Sequence, residues 1–171
     1  MLAGEILGAA AVLYDGLNSV QTETYGAAAR GSLAYSDVII SDETIDYTRI
    51  EDPDILIVLD EVAYEKFGKN ASTDCVIIYD PKTVKIEKGR PNHYEVPSLE
   101  ISRENLEHEE AANIIMLGAT VAITGIVSKE AVKKATLERV PEGTEGLNKL
   151  ALEKGFEAGK KQLDKNGKEE N

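Results

Sequence analysis

The stretch Asp54-Ile55-Leu56-Ile57-Val58-Leu59-Asp60 decides the fold class. Five consecutive apolar residues, three of them β-branched, stand between two aspartates, with Pro53 just before. Such a run suits a strand covered on both faces, as in a parallel sheet, rather than the in–out alternation of a half-solvated strand. Asp60 is placed to cap a short helix over Glu61–Phe67, and Gly68 to end it. Cys75-Val76-Ile77-Ile78-Tyr79 repeats the buried-strand pattern and stops at Asp80-Pro81. Strand, helix, strand over so few residues is the signature of an α/β chain with a mainly parallel sheet.

Working outward, residues 2–15 predict a helix, with Leu2, Ile6, Ala9 or Ala10 and Leu13 at helical spacing and Gly16 in the capping position. Val20–Thr24 is extended. Tyr35–Ser41 is a strand centred on Val38, Ile39 and Ile40. Beyond Pro81, Val84–Glu87 and Tyr94–Leu99 are weaker strand candidates. Glu104–Thr124 reads as the longest helix, starting after Ser102 and apolar from Ala111 onward. Gly118 inside it costs about 1 kcal/mol relative to alanine, which close packing against a neighbour would justify. Ser128 caps a helix over Lys129–Arg139, with Val127 and Val132 placed as a staple, and Pro141 marks its stop. Residues 147–163 form a last amphipathic helix. The polar tail from Asp164 to Asn171 is expected to be disordered. Residues 1–163 are expected to form one domain.

Composition narrows the function. The chain has 171 residues and a formal net charge of −12, which disfavours phosphate-rich nucleic acid and anionic membrane surfaces. With no tryptophan and two phenylalanines, the core rests on Val, Ile, Leu and Ala. One cysteine, Cys75, excludes an intrachain disulfide and any cysteine-built metal cluster within this chain. No apolar run reaches the roughly 18–20 residues of a membrane span, and a cytoplasmic location is expected.

The candidate binding feature is the loop Tyr25-Gly26-Ala27-Ala28-Ala29-Arg30-Gly31-Ser32. Two glycines around an arginine let backbone approach a ligand, and the guanidinium fork could hold a phosphate or carboxylate. A tight turn with a solvated arginine accounts for the same residues. Asp60 and Glu61 lie at the carboxyl end of a strand, where α/β ligands sit, although helix capping suffices for Asp60. Asn113, where a polar helix start turns apolar, could reach a ligand or bond a nearby loop. His93 and His108 are far apart and lack a metal-ligand pattern. Cys75, opening an apolar strand, reads as a buried small hydrophobe. No phosphate-binding GxxxxGK[ST], nucleophile-elbow GxSxG, CxxC or thiamine-binding GDG…NN pattern occurs, so the chain assembles no catalytic centre.

Several segments together carry a resemblance: LAGEILGAAAVLYDG (2–16), QTETYGAAARG (21–31), SDVIIS (36–41), DILIVLDEVAY (54–64), NIIMLGATVAITGIVSKEAVKKA (113–135) and RVPEGTEGLNKLALEKGFEAG (139–159). In order and spacing the chain resembles the γ subunit, or γ domain, of the 2-oxoacid:ferredoxin oxidoreductases, which act on pyruvate, 2-oxoglutarate, branched-chain 2-oxoacids or indolepyruvate. The resemblance implies a Rossmann-like domain packed on α and β subunits near the coenzyme A site. It also implies thiamine diphosphate, magnesium and iron–sulfur clusters in partner chains, a ferredoxin-like subunit among them. Tyr25, Gly26, Arg30 and Gly31 match the family's YGPExRGG loop, whereas Ala27, Ala28 and Ser32 depart from it and remove its acidic residue. The resemblance makes Tyr25, Gly26, Arg30, Gly31 and Asn113 candidates for contact with coenzyme A or a neighbouring subunit. The family begins with a strand and a GGQG loop before LAGEIL. This sequence starts at that helix, so a sheet short of its first strand is expected, together with a natural start other than Met1. The competing reading is an independent Rossmann-type nucleotide- or small-ligand-binding module without a catalytic partner.

Overall fold

The computed structural model describes residues 1–26, 33–86 and 92–169. Its contacts divide the chain into two compact units, one of residues 1–51 and 126–145, the other of 52–125 and 146–171. Each unit has its own sheet.

The first unit holds helix α1 (Leu2–Tyr14), strands β1 (Asn18–Tyr25) and β2 (Ala34–Ser41), and helix α5 (Lys129–Arg139). β1 and β2 form a two-stranded antiparallel ribbon in register from Asn18↔Ser41 to Tyr25↔Ala34. α1 lies close on the ribbon because its facing residues are glycines. A Cβ on Gly4 would stand 2.5 Å from the Ser36 Oγ, and one on Gly8 3.1 Å from the Ser19 Oγ. Gly16, at φ +69°, turns the chain out of the helix into β1. Ile6, Ala10 and Ala11 of α1 are fully buried, as are Val132 and Ala135 of α5. The two helix ends are latched together. The Asp15 carboxylate accepts from the Ser128 backbone N–H and hydroxyl, both at 2.6 Å, while the Ser128 Oγ accepts from Ala131 N–H at 3.1 Å as the N-cap. Ser128→Ala is therefore expected to cost about 1–2 kcal/mol in urea unfolding, a cap plus one carboxylate bond; an unchanged midpoint would refute the latch.

The second unit is a three-stranded parallel sheet in the order β3 (Ile55–Val58), β4 (Val76–Tyr79), β5 (His93–Glu95). β4 is the fully covered strand, with Ile77 and Ile78, on opposite faces, both buried. β3 corrects the expectation of a long strand buried on both faces. Among the described residues it is an edge strand of four residues, and Ile57 and Leu59 remain 36% and 41% exposed. Its ladder ends at Val58↔Tyr79 because β4 breaks off at Asp80-Pro81, where proline has no N–H to continue. α2 (Glu61–Ala63) follows Asp60 and passes into a single π-helical turn, Tyr64–Gly68.

Three further expectations are corrected. Residues 84–86 are not a strand: the Thr83 and Val84 N–H groups both bond back to the Asp80 carbonyl, a turn that buries Val84. The strand expected over Tyr94–Leu99 is His93–Glu95, and Ser98 already begins helix α3 (Ser98–Leu106). The long helix over Glu104–Thr124 is interrupted. Glu107 adopts a left-handed φ of +56°, a short 3-10 turn covers Glu109–Ala111, and α4 runs Ala112–Thr124. The buried Ser102 hydroxyl donates to the His108 carbonyl, which draws the chain out of the helix there.

α6 runs from Glu145 through Glu169, so residues 164–169, expected to be disordered, continue the helix. α4 and α6 cross at backbone contact. Cβ atoms on Gly118, Gly155 and Gly159 would stand 2.5, 2.2 and 2.6 Å from the carbonyl oxygens of Leu152, Ile115 and Ala119. That contact is the packing reason for Gly118 anticipated from sequence. Among the described residues no helix is long and apolar enough to cross a membrane.

Candidate functional site

The end of the β1–β2 ribbon carries the loop singled out in the sequence. Tyr25 and Ala34 are the last paired residues, and beyond them the Gly26 N–H donates to the Leu33 carbonyl at 3.2 Å. Tyr25 and Gly26 thus form the root of the loop; Arg30 and Gly31 lie outside the described residues. The Tyr25 ring is 69% exposed. Its hydroxyl donates to Glu23 Oε2 at 2.7 Å, and Gln21 Nε2 donates to Glu23 Oε1 and to the Ser36 Oγ, each at 3.1 Å. The hydrogen bond to Glu23 holds the Tyr25 phenol above its ordinary range, with desolvation and the Glu23 charge adding to it. At neutral pH Tyr25 is therefore an uncharged donor beside an open aromatic face, a surface for stacking or polar contact rather than for proton transfer.

Asn113 belongs to the second unit. It is the second residue of α4 and half-buried, and its Oδ1 accepts from the Ile114 N–H at 2.8 Å.

At the carboxyl end of the parallel sheet, the acidic groups are committed to the fold. Asp60 Oδ1 accepts from Val62 N–H at 2.7 Å, the cap expected from sequence, and Glu61 Oε2 accepts from Lys85 N–H at 2.8 Å. Tyr79 donates to Glu95 at 3.0 Å, and burial, followed by that bond, pushes its phenol far up. Sequence reasoning missed Asp80. It is fully buried, and its carboxylate accepts from Ser98 Oγ at 2.7 Å, Leu99 N–H at 2.8 Å and Lys82 N–H at 2.9 Å. The signal was available, since an aspartate directly after a buried strand with a serine opening a later helix is a capping pattern. Its chemistry here is anchoring α3 to β4.

Cys75 is buried, and burial pushes its thiol up, helped by the charges of Asp52 and Asp54. Iodoacetamide is expected to leave it unmodified in the native chain at mildly alkaline pH and to label it in concentrated guanidinium chloride. Equal labelling in both would contradict the burial. Among the described residues no group of three or more His, Cys, Asp or Glu could hold a metal ion.

The sequence matches the model of the family described as pyruvate ferredoxin/flavodoxin oxidoreductase over residues 1–158. The chain belongs to that family. It is 44% identical to the 2-oxoglutarate synthase subunit KorC of Methanocaldococcus jannaschii over 163 residues, 94% of this chain and 87% of the relative. The fold matches the crystal structure of a keto/oxoacid ferredoxin oxidoreductase gamma subunit from Geobacter sulfurreducens, with a TM-score of 0.81 and 38% identity over 92% of this chain and 89% of that one. Pyruvate oxidoreductase subunit PORC of Thermotoga maritima matches with a TM-score of 0.68 at 27% identity, over 91% and 87% of the two chains. This member of the oxidoreductase family is thus of gamma-subunit type, a chain that works with other subunits, and the independent binding module falls away.

Proposed function

We propose that the chain is the gamma subunit of a 2-oxoglutarate:ferredoxin oxidoreductase, which decarboxylates the 2-oxoacid, forms its acyl-coenzyme A and reduces ferredoxin. The observation that carries the choice of substrate is the 44% identity to a 2-oxoglutarate synthase subunit across nearly the whole chain. Substrate choice and the redox centres reside in partner chains of α, β and ferredoxin-like type, in the cytoplasm. The donor chemistry of this chain agrees with that division. An iron–sulfur cluster takes about four thiolates, and the sequence holds one cysteine, which is buried. Thiamine diphosphate with magnesium finds no matching acidic and amide motif here either.

The contribution of this chain is the ribbon loop, lying on the coenzyme A side of the assembled enzyme. Tyr25 and Gly26 form its root, with an exposed ring and a short backbone rung that leaves room for close approach. Arg30 supplies a guanidinium to an anionic group of the coenzyme, Gly31 lets the backbone come near it, and Asn113 serves as a polar contact to a ligand or neighbouring subunit.

In the purified complex, viologen reduction with 2-oxoglutarate is expected to exceed that with pyruvate or 2-oxoisovalerate by at least about tenfold in kcat/KM. Faster turnover of either competitor would reject the substrate assignment. Arg30→Ala is expected to raise the KM for coenzyme A by about tenfold, the worth of one charge-assisted hydrogen bond, with assembly intact. An unchanged KM would remove Arg30 from the coenzyme.

A further inference from the structure

Gln21, Glu23 and Tyr25 alternate along β1 and so share one face of the ribbon, with Val38, Ser36 and Ala34 across from them. That face is the one under α1, since a Cβ on Gly4 would stand 2.5 Å from the Ser36 Oγ and 3.2 Å from a Val38 methyl. A chain of hydrogen bonds leads along it from the covered part of the ribbon to its open end. The half-buried Gln21 amide donates to the Ser36 Oγ and to Glu23 Oε1, each at 3.1 Å, and Glu23 Oε2 accepts from the Tyr25 hydroxyl at 2.7 Å.

Packing does not fix the Tyr25 ring. Its cross-strand neighbour is Ala34, itself exposed, and Tyr25 is 69% open to solvent. A tyrosine so placed would sample several rotamers, and the bond to Glu23 selects one. The same bond commits the only proton of the hydroxyl. What Tyr25 then offers a ligand is its ring face, which suits another planar ring better than a phosphate or an aliphatic chain. From Gly26 to Ser32 the loop carries no acidic residue, so Glu23 is the carboxylate nearest to it along the chain.

We propose that Glu23 is a positioning residue for coenzyme A, holding the Tyr25 ring in the orientation that stacks on the adenine, the only aromatic ring system of that co-substrate. Glu23 acts through Tyr25 and not on the coenzyme itself. A ring already ordered spares the coenzyme the entropy of ordering it on binding. The inference rests on the coenzyme A reading of the ribbon loop and adds to it the part of the coenzyme that is met and the residue that prepares the contact.

The test is viologen reduction by the purified complex, with coenzyme A varied and the preferred 2-oxoacid saturating. Tyr25→Ala is expected to raise the KM for coenzyme A by at least about fivefold, the worth of one stacked base. Glu23→Ala and Tyr25→Phe should each raise it about threefold, the cost of ordering one side chain on binding, with kcat and the KM for the 2-oxoacid unmoved. Glu23→Gln keeps an acceptor for the hydroxyl and should restore the wild-type KM. Glu23→Ala combined with Tyr25→Phe should do no worse than either alone, because both break the same bond. Adenosine 3′,5′-bisphosphate, the nucleotide end of coenzyme A, should compete with it, and its inhibition constant should rise in step with the KM. With Tyr25→Ala impaired, a wild-type KM in Glu23→Ala, no rescue by Glu23→Gln, additive losses in the double variant, or a nucleotide that does not compete would overturn the positioning role alone. Loss of partner chains from the Glu23→Ala complex would overturn it too, by showing a role in assembly. A wild-type KM for coenzyme A in Tyr25→Ala would overturn both the proposal and the coenzyme reading of the loop.

Discussion

Gly155→Ala is expected to destabilise the chain by about 2 kcal/mol, whereas Gly146→Ala on the same helix should stabilise it by about 0.5 kcal/mol. Alanine is the better helix former at both positions by up to about 1 kcal/mol, so propensity alone predicts two gains. Space reverses the sign at one of them. A Cβ on Gly155 would stand 2.2 Å from the Ile115 carbonyl oxygen and 2.9 Å from the Ala119 nitrogen and the Gly118 Cα, whereas nothing lies within 4 Å of one on Gly146. Backbone cannot swing aside like a lysine tip. α4 and α6 must therefore separate by roughly 1 Å, which costs contacts along the buried seam of Ile115, Ala119, Leu152 and Phe156. Urea midpoints of the two variants measure the difference directly. Gains at both sites would mean that the helices do not meet at their backbones.

Asp80→Ala is expected to cost about 3–5 kcal/mol, the largest single effect in the second unit. The substitution removes one buried carboxylate and strands three donors: the Ser98 hydroxyl and the Leu99 and Lys82 N–H groups. The Ser98 donor is fully buried and its loss costs roughly 1–3 kcal/mol, whereas the two N–H groups are part-buried and recover some of theirs from water. Ser98→Ala alone should cost about 1–2 kcal/mol. Because Ser98 and Asp80 share a bond, the double variant should lose less than the two single losses added together. An Asp80→Ala chain within about 1 kcal/mol of wild type would show that α3 is not anchored through this carboxylate.

The sequence was most legible where local chemistry and burial agree. Ser128, Asp60 and Gly16 occupy the capping positions assigned to them, and α1 and α5 have nearly the expected bounds. It was least legible where a distant group overrides local pattern. Residues Glu104–Thr124 have uniform helical character, but the break at Glu107 depends on a hydroxyl of α3 reaching the His108 carbonyl. Val84 carries the same apolar signal whether it sits in a strand or, as here, on a turn gathered by the Asp80 carbonyl. The run at Ile55–Leu59 reports burial demand without reporting how many neighbours meet it, and β3 pairs on one side among the described residues. Of the candidate site, Tyr25, expected in the loop after a strand ending at Thr24, is the last paired residue of β1, and Gly26 follows it. Arg30 and Gly31 fall outside the described residues, and Asn113, in the other unit, bonds within its own helix. Asp80 was passed over because a buried carboxylate looks, in sequence, like any loop aspartate.

We propose that this chain acts only as part of a coenzyme A-dependent 2-oxoacid oxidoreductase. Affinity purification under anaerobic conditions, followed by viologen reduction with 2-oxoglutarate in the presence and absence of coenzyme A, tests it most directly. The account predicts co-purifying thiamine-binding and iron–sulfur chains and a reduction that requires both substrates. A folded chain recovered alone, with no viologen reduction in any fraction that contains it, would contradict the account.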